Sequence, residues 1–345
     1  MIKSISKIIF VIIGALIGAG FASGQEIYVF FYAYGIKGII GLIISSALIG
    51  YIIYKTFKIV QKNNISTYRE FLEIIIGKDK RNLINILNII INTFLLVTFF
   101  IMISGFGAYF EQQLGIDGLI GSVILAILCY IVFMTSTRGI VKVSTIIVPF
   151  LILFIIYIGI QILGIIDISK IQQYTINNNS NNLMFILKSI LYSSYNSILL
   201  IPVLITLKDY LKNNKINKYS SILTAIIVLI LSIILFLILS KIDVNIENLE
   251  MPAVYLVSKI SKVLSIIYGF IILSSIFTTS ISIGNSFIQN ICKKKKSYQH
   301  IALIMCITSV FVSKIGFSNL VQILYPFFGY LGIIQIVKII LIDKA

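Results

Sequence analysis

Long apolar runs separated by short polar ones run the length of this chain. Residues 83–110, 140–166, 219–240 and 263–291 each reach or exceed the ~20 residues that cross a bilayer as a helix. The pattern predicts spans near 7–33, 36–58, 83–112, 118–137, 141–166, 183–207, 219–240, 262–291, 299–314 and 320–342. An all-α integral membrane protein of about ten transmembrane helices is therefore expected. The first span is not uniform. An apolar stretch over 8–17 gives way to Gly18-Ala19-Gly20-Phe21-Ala22-Ser23-Gly24-Gln25-Glu26, and hydrophobicity resumes over 27–34. Lys3, Lys7 and the small residues imitate a signal peptide. An interrupted helix accounts for both halves of the run, whereas a cleaved signal accounts only for the first.

A second polar interruption, Tyr192-Ser193-Ser194-Tyr195-Asn196-Ser197, falls five spans later, with Pro202 beyond it. Five spans per half force the halves into opposite orientations. The expected organisation is thus a 5+5 inverted repeat with discontinuous helices 1 and 6. Its halves are residues 1–166 and 183–345, joined by an external linker at 167–182. Paired breaks of this kind point to a transporter's central site. Unwinding a helix inside hydrocarbon frees N–H and C=O groups that only protein, water, ion or substrate can satisfy. Gly14 and Gly18 alone would read as a close-packing pair. With Glu26 beside the glycines and the matched break in helix 6, the functional reading is preferred.

Composition narrows the class further. The chain has 345 residues, 59% hydrophobic and 12% charged, too little polar surface for a soluble domain of this length. The net charge of +16 is unevenly placed. With the N-terminus inside, 21 of the 28 basic residues fall on cytoplasmic segments, among them Lys55, Lys58, Lys62, Lys218 and the run Lys293 to Lys296. This is the positive-inside pattern, and it predicts an inner-membrane protein with both termini cytoplasmic, not a nucleic-acid binder. Cys129, Cys292 and Cys306 lack metal-ligand spacing, and His300 is the single histidine. No HExxH motif or nucleophile–base pair is present, so neither an enzyme nor an organic cofactor is expected. No feature of the sequence sets an oligomeric state.

The segment from Gly14 to Ile27, followed by Phe30-Phe31 and Tyr34-Gly35, closely resembles the opening helix of YkvI-like bacterial membrane proteins. Tyr195-Asn196 before Pro202-Val203-Leu204 is similar to the same family. That family in turn resembles the amino acid–polyamine–organocation superfamily, whose LeuT-type fold has inverted five-helix repeats and broken helices 1 and 6. In such carriers two adjacent hydroxyls on helix 8 join helix 1 carbonyls around a sodium ion. The resemblance matches them to Thr278 and Thr279, with the carbonyls of Gly14 and Ile17 opposite, so a bound sodium is a candidate. Some proton-coupled relatives carry a lysine in the middle of helix 5 instead; residues 146–164 contain none.

The residues themselves supply the remaining chemistry. Glu26 is the acidic residue placed at membrane depth, where a carboxylate costs several kcal/mol unless it is paired, protonated or hydrated. It suits either a counter-ion for a substrate ammonium or a carboxyl that takes and releases a proton. Helix 8 carries Ser274, Ser275, Thr278, Thr279, Ser282 and Ser286, several on one face. Singly, such hydroxyls more often bond carbonyls of their own helix. Gly18, Ala19, Gly20, Ser23 and Gly24 would offer backbone groups to a small-molecule substrate, and Tyr192, Ser193, Tyr195 and Asn196 side chains to it. The expected function is secondary transport of an amino acid or related amine by alternating access, coupled to sodium or protons. The alternative is a transporter-like ligand sensor of the germinant-receptor type.

Overall fold

The computed structural model describes residues 2–163, 183–242, 249, 251–292, 295–315 and 317–342, and their regular structure is helical throughout. The expected linker at 167–182 lies outside the described residues. In chain order the α-helices are α1 Ile2–Leu16, α2 Ala19–Ala22, α3 Gln25–Phe30, α4 Ile36–Asn63, α5 Tyr68–Ile76, α6 Arg81–Leu114, α7 Gly118–Met134 and α8 Ser136–Leu163. They continue with α9 Met184–Thr206, α10 Asn214–Leu239, α11 Pro252–Ile260, α12 Lys262–Ile291, α13 Lys295–Val312 and α14 Phe317–Leu341. Seven of them are long and apolar enough to cross a membrane, and α7 and α13 are shorter apolar helices. Large apolar side chains such as Ile131, Phe150, Leu153 and Phe270 stay exposed on their outer faces. Exposure on that scale marks a lipid-facing belt.

At the centre sits α9, almost wholly enclosed, between α4 and α14. The segments α1 to α3 lie beside it, with α1 against α8, α10 and α12. Helix 1 is interrupted as its glycines predict, and twice. The backbone leaves helical geometry at Ile17-Gly18 and again at Ser23-Gly24. Gly24 has φ of +82°, a left-handed conformation that a Cβ disfavours.

Helix 6, expected to be discontinuous, is not: α9 runs unbroken from Met184 to Thr206 with Pro202 inside it. The polar stretch satisfies itself along the helix. Ser193 and Ser197 donate to the carbonyls one turn back, Ser189 and Ser193, at 2.9 and 2.6 Å, and the Asn196 amide donates to Tyr192 at 2.9 Å. Polar side chains that turn back on their own helix make unwinding unnecessary.

The segment after α4 contains α5. Thr67 caps it by accepting from the Glu70 N–H, and the Glu70 carboxylate accepts from the Ser66 N–H at 2.8 Å. This reciprocal capping starts a helix whose Phe71, Leu72 and Ile75 are buried. A short helix, α11, begins at Pro252, with proline in its first turn.

Close helix approach depends on glycine at one point in particular. A Cβ at Gly38 would overlap the Phe31 carbonyl where α4 starts beneath the aromatic end of helix 1. Gly38→Ala is expected to destabilise the protein by about 1–3 kcal/mol, the range for overpacking. A lowered melting temperature of the purified variant is the measurement.

Candidate functional site

The double break in helix 1 frees backbone carbonyls in the middle of the protein, and nearly all the donors that meet them come from two later helices. The Thr279 hydroxyl on α12 lies 2.8 Å from the Gly14 carbonyl and 3.1 Å from that of Ile17. Three turns earlier on the same helix, the Tyr268 hydroxyl donates to Ala22 at 2.6 Å. The Ala253 N–H, in the first turn of α11, donates to Ser23 at 2.9 Å. The Ser23 hydroxyl closes the Gly20 carbonyl locally, at 3.2 Å. Each bond answers the requirement that no backbone polar group be left bare inside a membrane.

Thr278 and Thr279 do not act as a symmetric pair. The Thr278 hydroxyl bonds Ser275 of its own helix at 3.0 Å, while its Cβ packs 3.2 Å from where a Gly14 side chain would begin. Ser275, Ser282 and Ser286 likewise bond carbonyls of α12. From α8, the apolar Val148 approaches Gly14, closing that side without a charge. Gly14, Ile17, Thr278 and Thr279 are therefore gathered at one place, and its donor set is oxygen only, as a hard cation requires.

Glu26 is the second residue of α3 and is 3% exposed. Tyr195 on α9 donates its hydroxyl to the carboxylate. The Phe21 main chain bonds the carboxyl as well, and a Cβ at Gly20 would overlap it. The carboxylate thus folds back over the single turn α2, between the two breaks. Around it stands an aromatic wall. The Tyr195 ring stacks on Tyr325 of α14 with centroids 4.8 Å apart and meets Tyr192 edge-on at 5.4 Å. Phe30 lies 5.5 Å from Tyr195, and Phe31 lies 4.9 Å from Tyr192. A carboxylate beside several π-faces can hold an organic cation through both charge and ring quadrupole.

Gly18, Ala19, Gly20, Ser23, Gly24, Glu26, Tyr192 and Tyr195 are all buried in this region. Ser193 and Asn196 are buried too, but Ser193 is occupied by the Ser189 carbonyl and 3.2 Å from the Ser45 carbonyl of α4, and the Asn196 amide nitrogen by Tyr192. On α6, Gly105 approaches Ala19 of the broken segment, whereas Gly107 packs on α7 at Gly118.

Three residues were missed from sequence. Tyr268 shares a face of α12 with Thr279, a helical-spacing signal that was available. Tyr325 had no signal beyond a hydroxyl in an apolar run. Gln25 is fully buried, and neither its amide nitrogen nor its oxygen has a hydrogen-bond partner. A buried amide left unsatisfied on both atoms is uncommon, and Gln335 on α14 is a second one.

The whole structure superposes on a Na+-coupled sialic acid symporter in its substrate-bound outward-open state, with a TM-score of 0.69 at 15% identity, over 95% of this chain and 75% of that one. The shared fold is the LeuT type. In sequence, the chain is 28% identical over 335 residues to the uncharacterized membrane protein YkvI of Bacillus subtilis (strain 168), covering 96% of this chain and 93% of YkvI. It is 23% identical over 340 residues to the uncharacterized protein YyaD of the same organism, covering 97% and 96%. The resemblance to YkvI carried by the first helix thus extends along the chain. No protein-family model matches.

Proposed function

We propose that the protein is a secondary active transporter of a small solute, an amino acid or related amine, that works by alternating access coupled to sodium or protons. The observation that carries this reading is the doubly broken helix 1, with Glu26 between Tyr195 and the α2 turn. A buried carboxylate and freed backbone groups at one midplane point are what a polar solute needs in place of water. Glu26 and the aromatic wall take the ammonium, and Gln25 offers an amide to the rest of the solute. Thr279 with the Gly14 and Ile17 carbonyls takes the coupling cation when that cation is sodium. The similarity to a Na+-coupled symporter supports the same class.

The broken helix 1, the seven long helices and the shorter α7 and α13 together make ten crossings in two inverted halves, before and after residues 167–182. The basic excess places both termini in the cytoplasm of a bacterial inner membrane.

Purified protein in liposomes, screened with labelled amino acids and amines under imposed sodium or proton gradients, tests the proposal. Uptake driven by one gradient is expected and names the coupling ion. Ligand-induced thermal stabilisation with no uptake under either gradient would replace the transporter with a sensor.

A further inference from the structure

A groove on the membrane face, between α4 and α10, stands apart from the central site. Its volume is about 510 Å³. The two helices run antiparallel along it, from Ile43 and Leu229 at one end to Tyr54 and Lys218 at the other. Eleven residues of helical rise make the groove about 16 Å long. That is about half of a ~30 Å hydrocarbon core, the depth of a single leaflet. The floor is low because small residues meet there: a Cβ at Gly50 would lie 2.7 Å from that of Ala225. Exposed Ile43, Ile222 and Ile226 form the walls. The charge sits at one end only. Lys218 is an exposed cation at the mouth, and Lys55 lies 5.5 Å over the ring of Tyr51, another lining residue. No acidic residue lines the groove among the described residues.

We propose that this groove binds an anionic phospholipid from the leaflet on the Lys218 side. An acyl chain fills the apolar length, and the phosphate-bearing head group meets Lys218. A trough one leaflet deep with a cation at its polar end complements a lipid in both shape and charge. Basic pockets between transmembrane helices recognise anionic head groups by this means. The binding requires no transport and is independent of the solute carried.

The test is native mass spectrometry of the full chain in detergent, offered equal amounts of dioleoyl phosphatidylglycerol and dioleoyl phosphatidylcholine. Retention of one phosphatidylglycerol in preference to phosphatidylcholine is expected. Lys218→Gln should lower that preference about fivefold, the contribution of one basic residue near an anionic lipid surface. Ala47→Phe, at an exposed position on the same face, should fill the groove and remove the bound lipid of either kind. Equal retention of the two lipids would overturn the proposal, as would a preference unchanged by Lys218→Gln. Lipid retained by Ala47→Phe would place it elsewhere. A dimer that Ala47→Phe dissociates would assign the face to a second copy of the chain.

Discussion

Replacing Glu26 with glutamine is expected to reduce gradient-driven uptake at least about thirtyfold, with the melting temperature within a few degrees of the parent. The two effects separate because they rest on different atoms. Glutamine keeps an oxygen that accepts from the Tyr195 hydroxyl, so the local hydrogen bond and the packing over Gly20 survive. What disappears is the negative charge. Removing one member of a buried charged pair costs about 2–5 kcal/mol of binding, and ~1.4 kcal/mol is a factor of ten. That cost applies when Glu26 balances an ammonium; when it carries a proton, the coupled cycle itself is lost. Uptake measured over a range of solute concentrations separates these roles: a counter-ion raises KM, whereas a proton carrier removes the dependence on a pH gradient. Transport and binding both unchanged in this variant would end the role assigned to the residue.

The second large effect is expected at Thr279. Thr279→Val removes the hydroxyl that joins the Gly14 and Ile17 carbonyls across two helices. Leaving buried carbonyls without their donor costs about 1–3 kcal/mol of stability. If sodium drives uptake, the concentration for half-maximal stimulation should rise at least about tenfold, the equivalent of ~1.4 kcal/mol. Thr278→Val provides the contrast, because its hydroxyl already serves Ser275 within α12. A sodium titration of uptake in the two variants decides the matter. Equal shifts would mean that both hydroxyls turn toward the ion, and no shift in either would remove the cation from this place.

Helix 1 was legible in the sequence because its interruption is local. Glycines with no side chain to pack and a carboxyl among apolar residues lie within a dozen positions, and Gly24 takes the positive φ that such a run permits. The meeting of Thr279 with Gly14 and Ile17 was legible only through a family resemblance. Nothing in the spacing along α12 says which of its hydroxyls turns outward. Helix 6 misled for a physical reason. Tyr192 to Asn196 has the polarity of an unwound stretch, but serine and asparagine can also return to carbonyls one turn back, and in α9 they do. The capped helix α5 was readable from Thr67 and Glu70, and Tyr268 from its spacing to Thr279. Tyr325 was not, since its place beside Tyr195 is set by how α14 packs on α9, some 130 positions apart.

The bond from the Ala253 N–H to the Ser23 carbonyl ties the short helix α11 to the heart of helix 1 through main chain alone. No side-chain substitution removes either bonding group, so a loss seen on changing Ser23 or the buried Ala253 reports packing or the Ser23 hydroxyl and not this joint. Only proline at 253, which carries no N–H, deletes it. The fastening of α11 is thus made by a peptide unit and not by a residue type, while the burial of Ala253 against Gly24 keeps that position small for a separate reason.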